Sequence, residues 1–139
     1  MIPIEEALEG STPLAQKVAA MGPASTPREL VARLREVIPT LTDEEKIATL
    51  NAHPRIGDDP SRLSKLSLAE QGTDTLPELT RLNAEYERRF GFRFVFFVNR
   101  RPKAEIVQVL KQRLTASRQE EMGAGLRAVV DIAEDRLRK

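Results

Sequence analysis

The chain has 139 residues, and among them there is no cysteine, no tryptophan and only one histidine. The absence of cysteine excludes disulfide bonds and thiolate chemistry, and it is compatible with a reducing compartment. A zinc site would have to be built mostly from carboxylates around a single imidazole. The sequence therefore predicts no metal site.

Strong charge of either sign and long apolar runs are also lacking. The 22 basic and 21 acidic residues leave a net charge of +1, which gives no overall attraction to nucleic acid or to anionic membranes. No apolar run approaches the roughly 20 residues of a membrane helix, and the acidic start MIPIEEALEG is not typical of a secretory signal. We expect a cytoplasmic protein with one domain over residues 1–139.

Signals for helices are frequent along the chain. Capping residues followed by a proline or a glutamate open segments at Thr12, Thr26, Thr42 and Ser117, and Pro102 opens another. Apolar residues then recur at helical spacing. A further stripe in the segment 79–90 ends at Gly91, a residue suited to a left-handed helix cap.

The segment FRFVFFV at 92–98 is aromatic and β-branched, but no second convincing strand is present to pair with it. We expect a buried, extended connector. The predicted fold is an all-α, single-domain bundle of about seven helices with this one aromatic connector.

His53 directly precedes Pro54, which disfavours helical geometry in the residue before it. His53 is thus predicted to lie at a helix end, where an imidazole can simply interact with the terminal carbonyls. The loop after it, from Arg55 to Leu66, is the longest irregular stretch and includes Asp58 and Asp59. Long loops often carry binding sites.

Ser67 and Glu70 have the spacing of a capping box, and Gly72 is expected to close the short helix that they open. The same spacing elsewhere only begins helices. Here Gln71 follows, and free backbone N–H groups at a helix start can bind an anionic group. With His53, these residues form a candidate polar pocket.

The stretch ERRFGFRFVFFVNRRPK interleaves five arginines with aromatic residues, as proteins that bind single-stranded nucleic acid do. The low net charge favours the alternative that the phenylalanines are core and the arginines are solvated.

Three motifs in this order resemble the family of 2-oxo-4-hydroxy-4-carboxy-5-ureidoimidazoline (OHCU) decarboxylases. They are His53-Pro54, then Ser67-x-x-Glu70-Gln71, then Leu82-Asn83-x-x-Tyr86-x-x-Arg89-Phe90-Gly91-Phe92-x-Phe94-Val95. The likeness runs from about residue 47 to 137. It implies an all-helical homodimer that completes the conversion of urate to (S)-allantoin and uses no cofactor.

The resemblance also implies roles for individual residues. His53 is the catalytic acid/base, and Glu70 acts with it on the polar groups of a small ureidoimidazoline. The implied substrate-binding residues are Pro54, Ser67, Leu68, Ala69, Gln71, Phe94, Val95, Phe96, Phe97 and Val98. We expect Glu70 to orient the imidazole, and backbone N–H groups at Ser67 to stabilise the negative charge that develops during decarboxylation.

Three alternatives stay open at this point. One is a related decarboxylase acting on another ureido or imidazolone compound. The second is a helical interaction module without enzymatic activity, in which the motif residues only pack. The third is binding of single-stranded nucleic acid by the arginine-rich stretch.

Overall fold

The computed structural model describes residues 1–58, 63–71 and 76–139. The described residues form eight α-helices, one 3₁₀ turn and no β-strand. The helices are α1 (Ile4–Ala7), α2 (Pro13–Ala19), α3 (Pro27–Val37), α4 (Asp43–Asn51), α5 (Lys65–Gln71), α6 (Pro77–Phe90), α7 (Lys103–Arg113) and α8 (Arg118–Leu137), with the 3₁₀ turn at Ile38–Thr40. The predicted all-α class is confirmed, and the additional helix is the single turn α1.

The predicted helix starts are confirmed at the hydroxyl caps. The side chains of Thr12, Thr26, Thr42 and Ser117 each accept a hydrogen bond from the backbone N–H three residues later. Reciprocal capping boxes complete the starts of α4 and α8. Gly91 ends α6 with a φ of 81°, a left-handed conformation that glycine adopts without steric cost.

Helix α5 begins earlier than the sequence predicted. The Ser64 hydroxyl accepts the Ser67 N–H at 3.0 Å, and the Ser64 carbonyl accepts the Leu68 N–H at 2.8 Å. Ser64 is therefore the cap, and Ser67 lies in the first turn with its backbone N–H already bonded. The prediction that Ser67 and Glu70 form a capping box is wrong. The predicted helix end at Gly72, and Asp59, lie outside the described residues.

The segment 92–98 is an extended connector, as predicted. Phe92, Phe94, Val95 and Val98 are buried in the core. The ring of Tyr86 on α6 contacts Phe94 edge-on, with centroids 5.3 Å apart. After Val98 the chain turns through two left-handed residues, 99 and 100, which leads it into α7.

The long helix α8 packs against α1, α3 and α4. It lies close to α4 at Gly125, where an added Cβ would lie 2.8 Å from Leu50 Cδ2. The only exposed large hydrophobic residues in the described ranges are Met1 and Met21. None of the described helices combines the length and the apolar character that a membrane-spanning helix requires.

Candidate active site

A cavity of about 450 Å³ opens between α5, the connector and the C-terminal end of α8. Most of the residues predicted from the sequence to bind a ligand line it. They are His53, Pro54, Ser67, Ala69, Glu70, Gln71 and the connector residues Phe94, Val95, Phe96, Phe97 and Val98. Segments that are distant in sequence thus meet around one space, which is large enough for a small organic molecule.

Leu68 is the one predicted binding residue that does not line the cavity, whereas Leu66 does. Two positions along a helix are about 200° apart, so Leu66 and Leu68 lie on opposite sides of α5. The structure therefore does not place Leu68 in the cavity wall.

His53 lies just past the end of α4, as its position before Pro54 predicted. Its N–H donates to the Leu50 carbonyl at 3.2 Å. The Arg93 guanidinium donates to the backbone carbonyls of Asn51 and His53, at 2.9 and 3.2 Å. Arg93 thus binds the free carbonyls at the helix end and fixes the backbone that carries the imidazole.

The imidazole of His53 is buried, with only 4% of the residue exposed. Neither ring nitrogen has a hydrogen-bond partner in the part of the chain that the structure describes. Burial lowers the pKa of His53 to about 4, helped by the positive charge of Arg136 and opposed by the negative charge of Glu9 and by the nearby backbone of Thr49. His53 is therefore neutral at pH 7, with one nitrogen able to accept a proton.

Two unpartnered nitrogens on a buried ring are unusual, because buried polar groups in proteins are nearly always hydrogen-bonded. The ring also forms part of the cavity wall. This combination favours a histidine that binds a ligand over one that only interacts with the end of its helix.

Arg136 on α8 is the most important residue that the sequence analysis missed. It lines the cavity and is only 3% exposed. Its Nη2 lies 2.8 Å from carboxylate oxygens of both Glu9 and Glu70, and it donates to Ser67 Oγ at 3.1 Å. A buried positive charge is thus held by two carboxylates beside His53.

A sequence signal for Arg136 existed. Val129, Ala133 and Leu137 form the buried stripe of α8, and Arg136 lies on the same face at helical spacing. An arginine on an apolar stripe is rarely buried unless it is paired. Glu9, by contrast, lies between helices in a segment without any recognisable motif.

Glu70 lines the cavity as predicted, but its contacts differ from the expected ones. Its two carboxylate oxygens accept from Nε and Nη2 of Arg136, at 2.9 and 2.8 Å. It makes no hydrogen bond to His53, whose nitrogens are both unpartnered. The expectation that Glu70 orients the imidazole directly is therefore wrong, and its partner is Arg136.

Gln71 joins the cavity to the loop after α4. Its side-chain oxygen accepts the Gly57 N–H at 3.1 Å, so its amide NH₂ is the group left to donate. Gly57 has a φ of 81°, and an added Cβ would lie 3.2 Å from Leu79. The loop can therefore approach Gln71 in this way only with glycine at position 57.

The arginine-rich stretch contributes to packing. Arg93 binds the end of α4, Arg89 donates to the Ala116 carbonyl at 3.3 Å, and Arg101 donates to the Phe97 carbonyl at 2.8 Å. Arg101 also lies over the Phe96 ring. These arginines hold backbone carbonyls and aromatic rings, which the sequence analysis had not foreseen.

Over the described ranges, no group of three or more histidine, cysteine, aspartate or glutamate side chains has the arrangement of a metal site. The chemistry of the cavity can instead be stated from its side chains. It offers a neutral imidazole, a guanidinium paired with the Glu70 carboxylate, and polar backbone groups of the connector.

Comparison with known proteins extends the resemblance beyond the motifs. A 2-oxo-4-hydroxy-4-carboxy-5-ureidoimidazoline decarboxylase from Haloferax volcanii is 30% identical over 140 residues, covering 95% of this chain and 83% of that protein. A uric acid degradation bifunctional protein from Bacillus sp. (strain TB-90) is also 30% identical, over 94% of this chain. The chain spans only 28% of the length of that relative.

A similar fold is found among solved structures. A crystal structure of OHCU decarboxylase in the presence of (S)-allantoin superposes with a TM-score of 0.76 at 24% identity, covering 91% of this chain and 89% of that one. The sequence model of the OHCU decarboxylase family matches residues 3–138, so it includes the segments that carry both Glu9 and Arg136. The chain therefore belongs to the OHCU decarboxylase family.

Proposed function

We propose that the protein decarboxylates 2-oxo-4-hydroxy-4-carboxy-5-ureidoimidazoline to (S)-allantoin and carbon dioxide, without a cofactor, in the degradation of urate. The observation that carries the proposal is the buried His53 in the wall of a cavity of about 450 Å³, with ring nitrogens that make no hydrogen bond to any described residue. Membership of the family indicates which reaction is catalysed, and His53 is a base that can take part in it.

The substrate can lose its carboxylate because its ring accepts the electrons. The bond from C4 to the carboxylate breaks, its electron pair moves toward the adjacent C=N of the ring, and carbon dioxide leaves. The ring nitrogen that receives this electron pair takes up a proton. The 4-hydroxyl then loses its proton as the C4 carbonyl forms, and C5 gains a proton, which gives (S)-allantoin. The protein needs to position the substrate, exclude water and move protons.

His53 is the group that takes the 4-hydroxyl proton. A base must be unprotonated to act, and the lowered pKa of about 4 keeps the imidazole neutral at pH 7. Burial is the main cause of this lowering, so the water exclusion that favours decarboxylation also keeps the imidazole unprotonated. The Arg93 contacts to the backbone keep the ring directed at the cavity.

Arg136 stabilises the negative charge that develops as the C4–carboxylate bond breaks. The backbone N–H of Ser67, to which we had assigned this role, already donates to Ser64. Arg136 is buried in the cavity wall and held in a fixed position by Glu70 and Glu9. Its N–H groups already donate to Glu70, Ser67 and backbone carbonyls, so Arg136 acts through its fixed positive charge and not by donating a hydrogen bond to the substrate.

The polar groups of α5 and the connector bind the ring and the ureido group. Gln71 offers N–H donors because its oxygen is bonded to Gly57. The connector from Phe94 to Val98 places peptide groups along the cavity, which explains why an apolar segment borders a polar ligand. Together they hold the substrate so that C4 faces His53.

The decisive experiment mixes the freshly generated product of urate oxidation with the protein and follows (S)-allantoin by circular dichroism. We expect formation far above the spontaneous rate and of a single enantiomer. His53→Asn serves as the matched control, because it removes the base and keeps a polar side chain. A wild-type rate equal to the spontaneous one would refute the proposal.

The proposal extends to a homodimer in the cytoplasm. The homodimer is supported by the family resemblance, and the cysteine-free composition is compatible with a reducing compartment.

A further inference from the structure

Glu9 lies outside the cavity wall, yet it contacts two residues that form the wall. A single carboxylate oxygen, Oε1, accepts hydrogen bonds from the hydroxyls of Ser64 and Ser67, at 2.8 and 2.6 Å, and lies 2.8 Å from Arg136 Nη2. The Glu9 backbone has a φ of 65°, which is costly for a residue other than glycine. The fold thus holds Glu9 in a backbone conformation that glutamate rarely adopts, and this fixes the position of its carboxylate.

These contacts determine the direction of the Ser67 hydroxyl. Burial alone would raise the pKa of Glu9, but the hydrogen bonds from Ser67 and Ser64 and the charge of Arg136 together hold it below its usual value. An ionised carboxylate can only accept, and a guanidinium can only donate. Ser67 must therefore donate its proton to Glu9 and accept from Arg136 Nη2.

A hydroxyl oxygen has two lone pairs, so one is left on Ser67 Oγ after the bond from Arg136. Ser67 lines the cavity, and its only proton is already bonded to Glu9. We propose that Glu9 is a positioning residue that makes Ser67 an obligatory acceptor, so that Ser67 binds an N–H or O–H group of the ligand.

The inference rests on the proposed function for the identity of that group. In a ureidoimidazoline the donors are the N–H groups of the ring and of the ureido substituent. Gln71 presents the opposite polarity, since its oxygen is bonded to Gly57 and its NH₂ is left to donate. An acceptor and a donor in the same helix, α5, would fix which way round the substrate binds.

The test measures the dissociation constant of (S)-allantoin by calorimetry for the wild type, Glu9→Met, Ser67→Ala and the double variant. Methionine removes the acceptor at similar size, which frees the Ser67 hydroxyl to turn. We expect each single change to weaken binding about tenfold, as for the loss of one good hydrogen bond. In the Ser67→Ala background, Glu9→Met should add less than about threefold, since the two act through the same bond.

Two further variants separate positioning from structural support. In Glu9→Gln the amide oxygen can replace Oε1 on all three partners, so binding should stay within about threefold of the wild type. Glu29→Met is the matched control, because Glu29 also joins an arginine, Arg33, to a backbone donor, the Ser25 N–H, but outside the cavity. It should leave binding unchanged.

The inference is overturned if Glu9→Met binds (S)-allantoin like the wild type, or if it weakens binding by the same factor with and without the Ser67 hydroxyl. If Glu9→Met does not fold, Glu9→Asp replaces it. Aspartate keeps the negative charge near Arg136, but its shorter side chain moves the accepting oxygen away from Ser67, so binding can again be compared with and without the Ser67 hydroxyl. Wild-type protein that binds no (S)-allantoin also overturns the inference. A protein that binds it without accelerating decarboxylation refutes the proposed function alone.

Discussion

The imidazole of His53 combines deep burial with unpartnered nitrogens, and both properties bear on catalysis. We expect His53→Asn to lower turnover by roughly two to four orders of magnitude, the usual contribution of one general acid–base group. The measurement is the initial rate of (S)-allantoin formation at pH 7.

The fold should survive this change, although His53 is buried. His53 makes no side-chain hydrogen bond within the described ranges that its removal could break. The far-ultraviolet circular dichroism of the variant serves as the control, and a folded variant with near-normal turnover would contradict the assignment of His53.

The depressed pKa of His53 also predicts how stability depends on pH. The unfolded chain has the ordinary value of about 6.5, while the folded value is about 4. Between these values the unfolded state binds the extra proton, so the free energy of unfolding falls as pH drops from about 6.5 to 4. One pKa unit is about 1.4 kcal/mol, so this group alone lowers stability by about 3 kcal/mol.

Carboxylates titrate in the same range, and His53→Asn separates their effect. We expect the wild type to lose about 3 kcal/mol more than the variant between pH 7 and pH 4, as measured by urea unfolding. Parallel pH curves for the two proteins would mean that His53 titrates normally in the folded state.

Helix α5 illustrates where sequence reasoning succeeded and where it failed at the scale of one element. The helix and its place in the site were predicted, but its start was not. Ser64 and Ser67 are both suitable caps, and Glu70 has the right spacing for a box with Ser67. The side chain of Glu70 instead binds Arg136, which is 66 residues away in sequence. A long-range ion pair of this kind leaves no trace in the local pattern.

Glu70→Gln should lower both the stability of the fold and the turnover. The amide can accept with only one of its two terminal atoms, so the bidentate bond to Arg136 is lost. A hydrogen bond between charged groups contributes on the order of 2 kcal/mol when it is partly buried. We expect a lower melting temperature and strongly depressed turnover, measured by thermal unfolding and the (S)-allantoin assay.

Glu45→Gln provides the structural control for this prediction. Glu45 completes the capping box of α4 by accepting the Thr42 N–H at 2.9 Å, and its amide analogue can still accept that bond. The variant should keep both turnover and melting temperature. Equal losses of activity in the two variants would show that the charge of Glu70 has no special role at the site.

At the scale of the whole molecule, the all-α class and the aromatic connector were predictable because their signals are local and repeated. Hydrophobic periodicity and caps placed the helices, and the lack of a partner strand identified the connector. The resemblance found His53, Glu70 and Gln71. Arg136 and Glu9 were not predicted as site residues, because their pairing depends on how the first and last helices pack.

The homodimer is a separate prediction at this scale. The apolar stripe of α8 and about half of the connector are buried within one chain, so these segments give no argument for a second copy. The resemblance remains as its support. Light scattering at micromolar concentration should give twice the chain mass of 15.6 kDa, and a monomer under these conditions would contradict the prediction.

The bonds of Arg136 to the N-terminal segment have a consequence for folding kinetics. The guanidinium reaches the carbonyl of Ala7, 129 residues away in sequence, so these contacts close nearly the whole chain into a loop. Contacts between residues so far apart in sequence require the chain to close a long loop, which costs conformational entropy. We therefore expect them to form late in folding. We expect refolding chains to regain helical circular dichroism before they regain decarboxylase activity. Activity that returned with the first helical signal would mean that the site assembles locally.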